Sequence, residues 1–193
     1  EKVWSYSHDQ IEEGLAELAT ADELVAHNGI GYDFKVIDKL YPSWAFKGKR
    51  SDTLVLSRLT RPDLKNEDFE YNLSNEVLPK RLYGSHSLKA WGMRLNSRIS
   101  GSENFLKDDY DGGWEHWSQA MQDYCEQDVY VLMALYKFLK PENHSPEAID
   151  LAHDVAEVAE RIGNAGWTFD EAGAGKLYAE LSTRRDELND ELQ

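Results

Sequence analysis

The apolar positions change period along the first forty residues. "EKVWSY", Glu1 to Tyr6, reads as a short strand, and "SHDQ" follows with Ser7 as N-cap and Gln10 three positions on, a capping-box pattern. Ile11, Leu15 and Leu18 then form a helical stripe to about Ala21. "ELVAHNG" is expected to be a short buried strand stopped by Asn28-Gly29, and Tyr32 to Leu40 is helical again. Strand, helix, strand, helix is the rhythm of an α/β sheet.

Helical periodicity dominates the remainder. Asp52 is placed to cap a helix through "TLVLSRL", the polar stretch 61 to 81 reads as a surface loop, and Ser85 or Ser87 opens a helix through "LKAWGMRL". A charged, Gly-containing loop around 100 to 113 leads into the longest helical pattern, Trp114 to Leu139, which Pro141 ends. A helix from about Pro146 to Ile162, the turn "GNAGWTFD" and a helix from about Asp170 complete the chain. This last pair is strongly charged and reads as a helical hairpin or linker. The expected organisation is therefore a domain over 1–145 and a helical extension over 146–193.

Composition narrows the classes. With 193 residues, 41% hydrophobic content and six Trp, the chain can bury a sizeable core. No apolar run reaches the roughly 18 residues that cross a bilayer, and no secretory pattern opens the chain, so no membrane role is expected. Cys125 is the only cysteine, which excludes an internal disulfide and a thiolate zinc cluster, fits a reducing cytoplasm, and reads as a small apolar filler. The net charge of −15 argues against phosphate binding until its distribution is considered. Residues 35 to 98 hold 13 Lys and Arg against seven Asp and Glu, whereas the other residues carry 8 against 29. A basic middle sits between acidic ends, and within it Lys80, Arg81, Lys89, Arg94 and Arg98 read either as a path for DNA or as a solvated face.

Two stretches carry candidate chemistry. In "HNGIGYD", residues 27 to 33, a strand ends at Asn28, Gly29 and Gly31 permit a tight turn with positive φ, and Tyr32-Asp33 open a helix. Asp33 is thereby held at the carboxyl end of a strand, where α/β folds place their sites. In "YCEQD", residues 124 to 128, Tyr124 and Asp128 stand four apart and share one helix face. Alone, Asp33 reads as a helix N-terminal charge favoured by the macrodipole, and Tyr124 with Asp128 as a structural pair. His27, His86 and His116 are not spaced as a ligand set and read as hydrogen-bonded structural residues.

Together the two stretches resemble the second and third motifs of the DEDD superfamily of 3′→5′ exonucleases, tyrosine type. The stretches "SDTLVLSRL", "GSHSLKAWGMRL" and "MQDYCEQDVYVLMAL" further resemble the proofreading exonuclease domain of family A DNA polymerases from podovirus-type bacteriophages. "AEVAERIGNAGWTFDEAGAGKLYAELSTRRDELNDEL" is similar to the segment entering the polymerase domain in that family. The resemblance implies a ribonuclease H-like α/β fold, a mixed sheet flanked by helices, with a polymerase domain in cis. The implied substrate is the 3′ end of single-stranded DNA or of primer-template DNA, and the implied setting is the cytoplasm of an infected bacterium. It also implies two Mg²⁺ or Mn²⁺ ions about 4 Å apart, held by carboxylates including Asp33 and Asp128. Tyr124 would orient the attacking water, and Asn28 and Tyr32 would contact the terminal nucleotides.

The sequence departs from this family at one point. The first motif is an Asp-x-Glu on the first strand, and nothing upstream of Asp33 supplies it; Glu1 and "SHDQIEE" are not substitutes. The expectation is a domain lacking its first two strands, with half of its metal cage absent and little activity alone. An RNA-trimming exonuclease of the same branch, and a module that only binds nucleic acid, are the competing readings.

Overall fold

The computed structural model describes residues 3–75, 77–98, 113 and 115–192, with the side chains of 72–75 and 97–98 left aside. The strand-helix alternation is present, built on strand β1 (Glu23–Ala26), helix α2 (Asp33–Leu40), strand β2 (Lys49–Asp52) and helix α3 (Thr53–Thr60), with helix α1 (Ile11–Leu18) before them. The two strands pair in parallel, Glu23 opposite Lys49 and Ala26 opposite Asp52, and they are the sheet of the described residues. The class is α/β and mostly helical.

Strand β2 is not announced by apolar alternation. "KRSD" forms a strand because its polar groups find partners on β1 and α2; β1 itself, expected to be buried, is half-buried along its length. Arg50 makes a two-pronged ion pair with Asp38, both contacts at 2.7 Å, and the Ser51 hydroxyl donates to Glu23, which also accepts from Tyr136 at 3.1 Å. Burial and that carboxylate together push the Tyr136 phenol up to about 12. Gly48 precedes the strand because a Cβ there would stand 2.3 Å from the Asp22 carbonyl oxygen, which accepts from the Lys49 N–H at 2.8 Å.

The core lies on the helical side. Helix α4 (Leu64–Asn75), helix α5 (Leu88–Arg98) and helix α6 (Gln119–Leu139) meet α3 and helix α7 (Pro146–Ala165) around Leu56, Leu64, Trp91, Leu95, Val131, Leu135, Leu139 and Ile149. Trp91 is wholly buried, with Phe138 at 5.7 Å and the Arg94 guanidinium 4.9 Å from its ring. Contacts divide the chain into two compact units, Glu1–Glu160 and Arg161–Gln193. The second contains helix α8 (Glu171–Glu191), which Asp170 caps by accepting from the Gly173 N–H at 2.9 Å.

Several expectations are corrected. Glu1 and Lys2 lie outside the described residues, and Val3 to Ser7 form no strand; Ser5 instead bonds to Glu126 and Gln122 on α6. Ser7 does not cap α1, whose N-cap is Gln10; the Ser7 hydroxyl and N–H both turn to Gln10 Oε1, closing a turn before the helix. The polar stretch 61 to 81 is not a loop but holds α4 and a 3₁₀ turn at Lys80–Leu82. Its buried Leu64 and Asp68 anchor that helix against the core. The long helix starts at Gln119, where Ser118 caps it at 3.2 Å, and Trp114 and most of the loop around 100 to 113 fall outside the described residues. Ser87, rather than Ser85, accepts from the first turn of α5, at Ala90 N–H. Cys125 is exposed and fills no core space.

Candidate active site

Strand β1 ends at Ala26, and the next seven residues turn the chain into α2. The positive φ this needs falls on Asn28, at 64°, rather than on Gly29 or Gly31. The glycines serve close approach instead. A Cβ on Gly29 would lie 2.6 Å from Ala26 Cβ and 2.8 Å from Phe34, and one on Gly31 would lie 2.8 Å from Asn28 Oδ1.

A buried carboxylate holds this turn in place. Asp52, at the end of β2, accepts the backbone N–H of Asn28 at 2.8 Å and that of Ile30 at 3.1 Å, while also capping α3 through Leu54 N–H at 2.8 Å. Its own N–H donates at 2.9 Å to Nε2 of the buried His153 on α7, whose Nδ1–H donates to the Ile149 carbonyl at 2.8 Å. His27 adds a 2.9 Å contact from Nδ1 to Thr53 Oγ1. The two strand ends and α7 are thus tied together by a network of buried polar contacts.

This scaffold presents Asp33 in the first turn of α2 and Tyr32 just before it, with Tyr32 66% exposed. On α6, Asp128 and the half-buried Tyr124 occupy one face, and Asp128 Oδ1 is withdrawn from solvent. The carboxyl of Asp33 is held above the ordinary carboxylate range, first by desolvation and then by the charges of Asp52 and Asp128, against a lowering backbone hydrogen bond. Asp33 as a residue is exposed, so this desolvation acts on a carboxyl that packing covers on one side only. The charges of Asp52 and Asp128 thus both bear on Asp33, and Asn28 and Tyr32 stand on the same turn as Asp33.

Compared with known proteins, the chain matches no family model. It is 33% identical over 207 aligned positions to the DNA-directed DNA polymerase of Escherichia phage T7, an alignment covering 90% of this chain and 29% of that polymerase. The DNA-directed DNA polymerase of Enterobacteria phage T3 matches at the same identity and coverage. The chain is related to a segment of phage DNA polymerases. It spans 29% of the length of those relatives.

Asp33 and Asp128 offer the carboxylate oxygens that Mg²⁺ prefers. Among the described residues, no three His, Cys, Asp or Glu side chains converge as a metal-holding group. The carboxylate chemistry suits such a cation, and the donor set is incomplete among the described residues.

Sequence reading passed over three participants. Asp52 reads as a helix cap, and only its pairing opposite Ala26 reveals that it also holds the neighbouring turn. His153 lies far along the chain on a helix assigned to the extension, so no local signal marks it. Arg94 reads as a surface cation, yet it is 1% exposed and paired with Asp68. It is removed from the basic path, and Arg98 is among the side chains left aside.

Proposed function

We propose that this chain is the 3′→5′ proofreading exonuclease portion of a phage DNA polymerase, removing 3′-terminal nucleotides from single-stranded DNA within an infected bacterial cell. The observation that supports it best is the 33% identity to a segment of phage DNA polymerases, in a chain where Asp33, on a strand-end turn, feels the charge of Asp128 on a distant helix. The ribonuclease H-like architecture, with a polymerase part in cis and primer-template DNA as partner, belongs to the same proposal.

In this reading Asp33 and Asp128 hold Mg²⁺ or Mn²⁺, which supplies water activation and charge stabilisation at the leaving oxygen when bound. The chain's own residues do the positioning. Tyr32 offers an exposed ring to the terminal base, a stacking contact worth about 1–3 kcal/mol. Asn28, fixed through its N–H by Asp52, presents its side chain to the same nucleotide, and Tyr124, one helical turn from Asp128, aligns the water. The incomplete donor set among the described residues favours a second reading, a module that binds the strand end without cutting it.

The test is end-specific binding. A single-stranded DNA carrying 2-aminopurine at its 3′ terminus is expected to change fluorescence on binding, and Tyr32→Ala to remove most of that change. The same fluorophore at the 5′ terminus is expected to respond weakly. Equal responses at both ends, insensitive to Tyr32→Ala, would contradict both readings.

A further inference from the structure

His153 stands on α7, 8% exposed, and both of its ring nitrogens are committed. Nδ1 lies 2.8 Å from the carbonyl oxygen of Ile149, one turn back on the same helix, and Nε2 lies 2.9 Å from the Asp52 main-chain nitrogen. A carbonyl can only accept and a main-chain N–H can only donate. The two contacts together therefore require a neutral ring with its proton on Nδ1 and a lone pair on Nε2. Ile149 is itself packed in the core, which fixes the near end of this relay. The ring is an acceptor aimed at the end of β2.

The helix is held on both sides of that ring. Asp150, His153, Glu157 and Glu160 recur at spacings of three and four and so share one face. Asp150 pairs with Lys49 of β2 at 3.0 Å, Glu160 pairs with Lys35 of α2, and the charge of Glu157 bears on Arg50 of β2 after that of Asp38. Ion pairs this exposed contribute little stability, but they set how α7 lies against β2. The buried hydrogen bond between them reaches further than its own two atoms. The Asp52 N–H and carboxylate flank the same Cα, and the carboxylate accepts the N–H groups of Asn28 and Ile30 at 2.8 and 3.1 Å. Asn28 holds φ at 64°, a left-handed value that its surroundings must maintain. Without the Nε2 acceptor a buried donor is left unmet, and a shift of the β2 end that relieves it carries the carboxylate along.

We infer that His153 is a positioning residue for the terminal-nucleotide seat: through Asp52 it holds Asn28, and with it Tyr32, in the geometry that receives a DNA 3′ end. The inference rests on the reading of Asn28 and Tyr32 as that seat. His153 itself touches no substrate, and its effect passes through the Asp52 main chain.

The experiment compares His153→Gln with His153→Asn in the 193-residue chain. The Gln side chain places its amide oxygen where Nε2 stood, whereas that of Asn ends near Nδ1 and leaves the Asp52 N–H unmet. Binding is read with a single-stranded oligo-dT carrying 2-aminopurine at its 3′ terminus and, separately, at its 5′ terminus. The turn is read without DNA, by hydrogen exchange of the Asn28 and Ile30 amides. His153→Asn is expected to weaken 3′-end binding about fivefold. It is also expected to speed exchange at both turn amides about tenfold, more than at Leu135 in the core, with His153→Gln close to wild type in each. Wild-type behaviour in both variants, or equal losses in both, would overturn the inference. So would turn amides that quicken no more than Leu135, the mark of a general loss of stability. With Tyr32→Ala still removing 3′-end binding, those results leave the terminal seat standing. Turn amides that respond as expected, while both DNA ends respond alike and Tyr32→Ala has no effect, would remove the seat and the part of His153 in it. One measurement needs no variant: ¹⁵N shifts of His153 in the wild-type chain are expected to show a protonated Nδ1 and a bare Nε2, and a proton on Nε2 would overturn the inference.

Discussion

The Asp52 carboxylate accepts the Asn28 backbone N–H at 2.8 Å, so the residue that ends one strand fixes the turn that ends the other. Ile30 and Leu54 donate to the same carboxylate, which is 1% exposed. Hydrogen bonds to a buried charge are worth more than neutral ones, and removing the acceptor leaves buried donors unmet. Asp52→Ala is expected to lower the unfolding free energy by about 3 kcal/mol or more, combining a lost helix cap with two lost turn contacts. A urea midpoint shift at unchanged m-value reads this directly, and a loss near zero would show that the turn is held by other means.

Arg94 and Asp68 form the buried ion pair of the helical side, Nε to Oδ1 and Nη2 to Oδ2 both at 2.7 Å. Asp68 also accepts from Gly84 N–H at 2.8 Å, and Arg94 donates to the Ser85 carbonyl at 2.8 Å, so the pair anchors the segment entering α5. Arg94→Met strands the Asp68 charge and is expected to cost about 3–5 kcal/mol. The double variant Arg94→Met with Asp68→Leu is expected to recover part of that loss. Two equal losses that simply add in thermal melts would argue against coupling.

Asp33 sets a pH dependence with a definite sign. Its folded-state value is raised, chiefly by desolvation, so between the ordinary carboxylate value and the raised one the folded chain holds a proton that the unfolded chain has released. Stability from this group is therefore full at lower pH and declines as pH rises through that window, then stays level. Asp33→Asn is expected to remove this slope. In Asp128→Asn, the Asp33 carboxyl, followed by ¹³C NMR titration, is expected to titrate lower than in wild type yet still above an ordinary Asp, because desolvation leads the causes. No movement would mean that Asp128 does not face it.

Gly29 is a packing requirement. A methyl at this position would press on Ala26 Cβ at 2.6 Å and Phe34 at 2.8 Å, and both belong to the turn's own support. Gly29→Ala is expected to destabilise by about 1–3 kcal/mol. The nearest atoms that Gly31→Ala meets belong to the movable Asn28 side chain, so it is expected to spare stability and weaken binding of a DNA 3′ end in anisotropy titrations.

The legible parts of this fold were those with a strong local signal. The apolar run before Asn28, the spacing of Tyr124 and Asp128, the Asp52 cap and the stop at Pro141 all depend on neighbours in sequence, and each corresponds to an observed element boundary or face. Strand β2 was illegible because "KRSD" is stabilised by partners at Glu23 and Asp38, which composition does not reveal. Helix α4 was illegible because its polar residues looked solvated while Asp68 was in fact paired across to Arg94. The candidate site was read from two motifs, but the groups that hold its turn, Asp52 and His153, come from elsewhere in the chain and are joined only by folding.

The most direct test of the account is degradation of a 5′-labelled single-stranded DNA in Mg²⁺ or Mn²⁺ by a polymerase chain containing these 193 residues, beside the same chain carrying Asp128→Ala or Asp33→Ala. The account predicts a ladder shortening from the 3′ end that either substitution abolishes while polymerisation persists. A ladder that survives both substitutions, or one that shortens from the 5′ end, would contradict it.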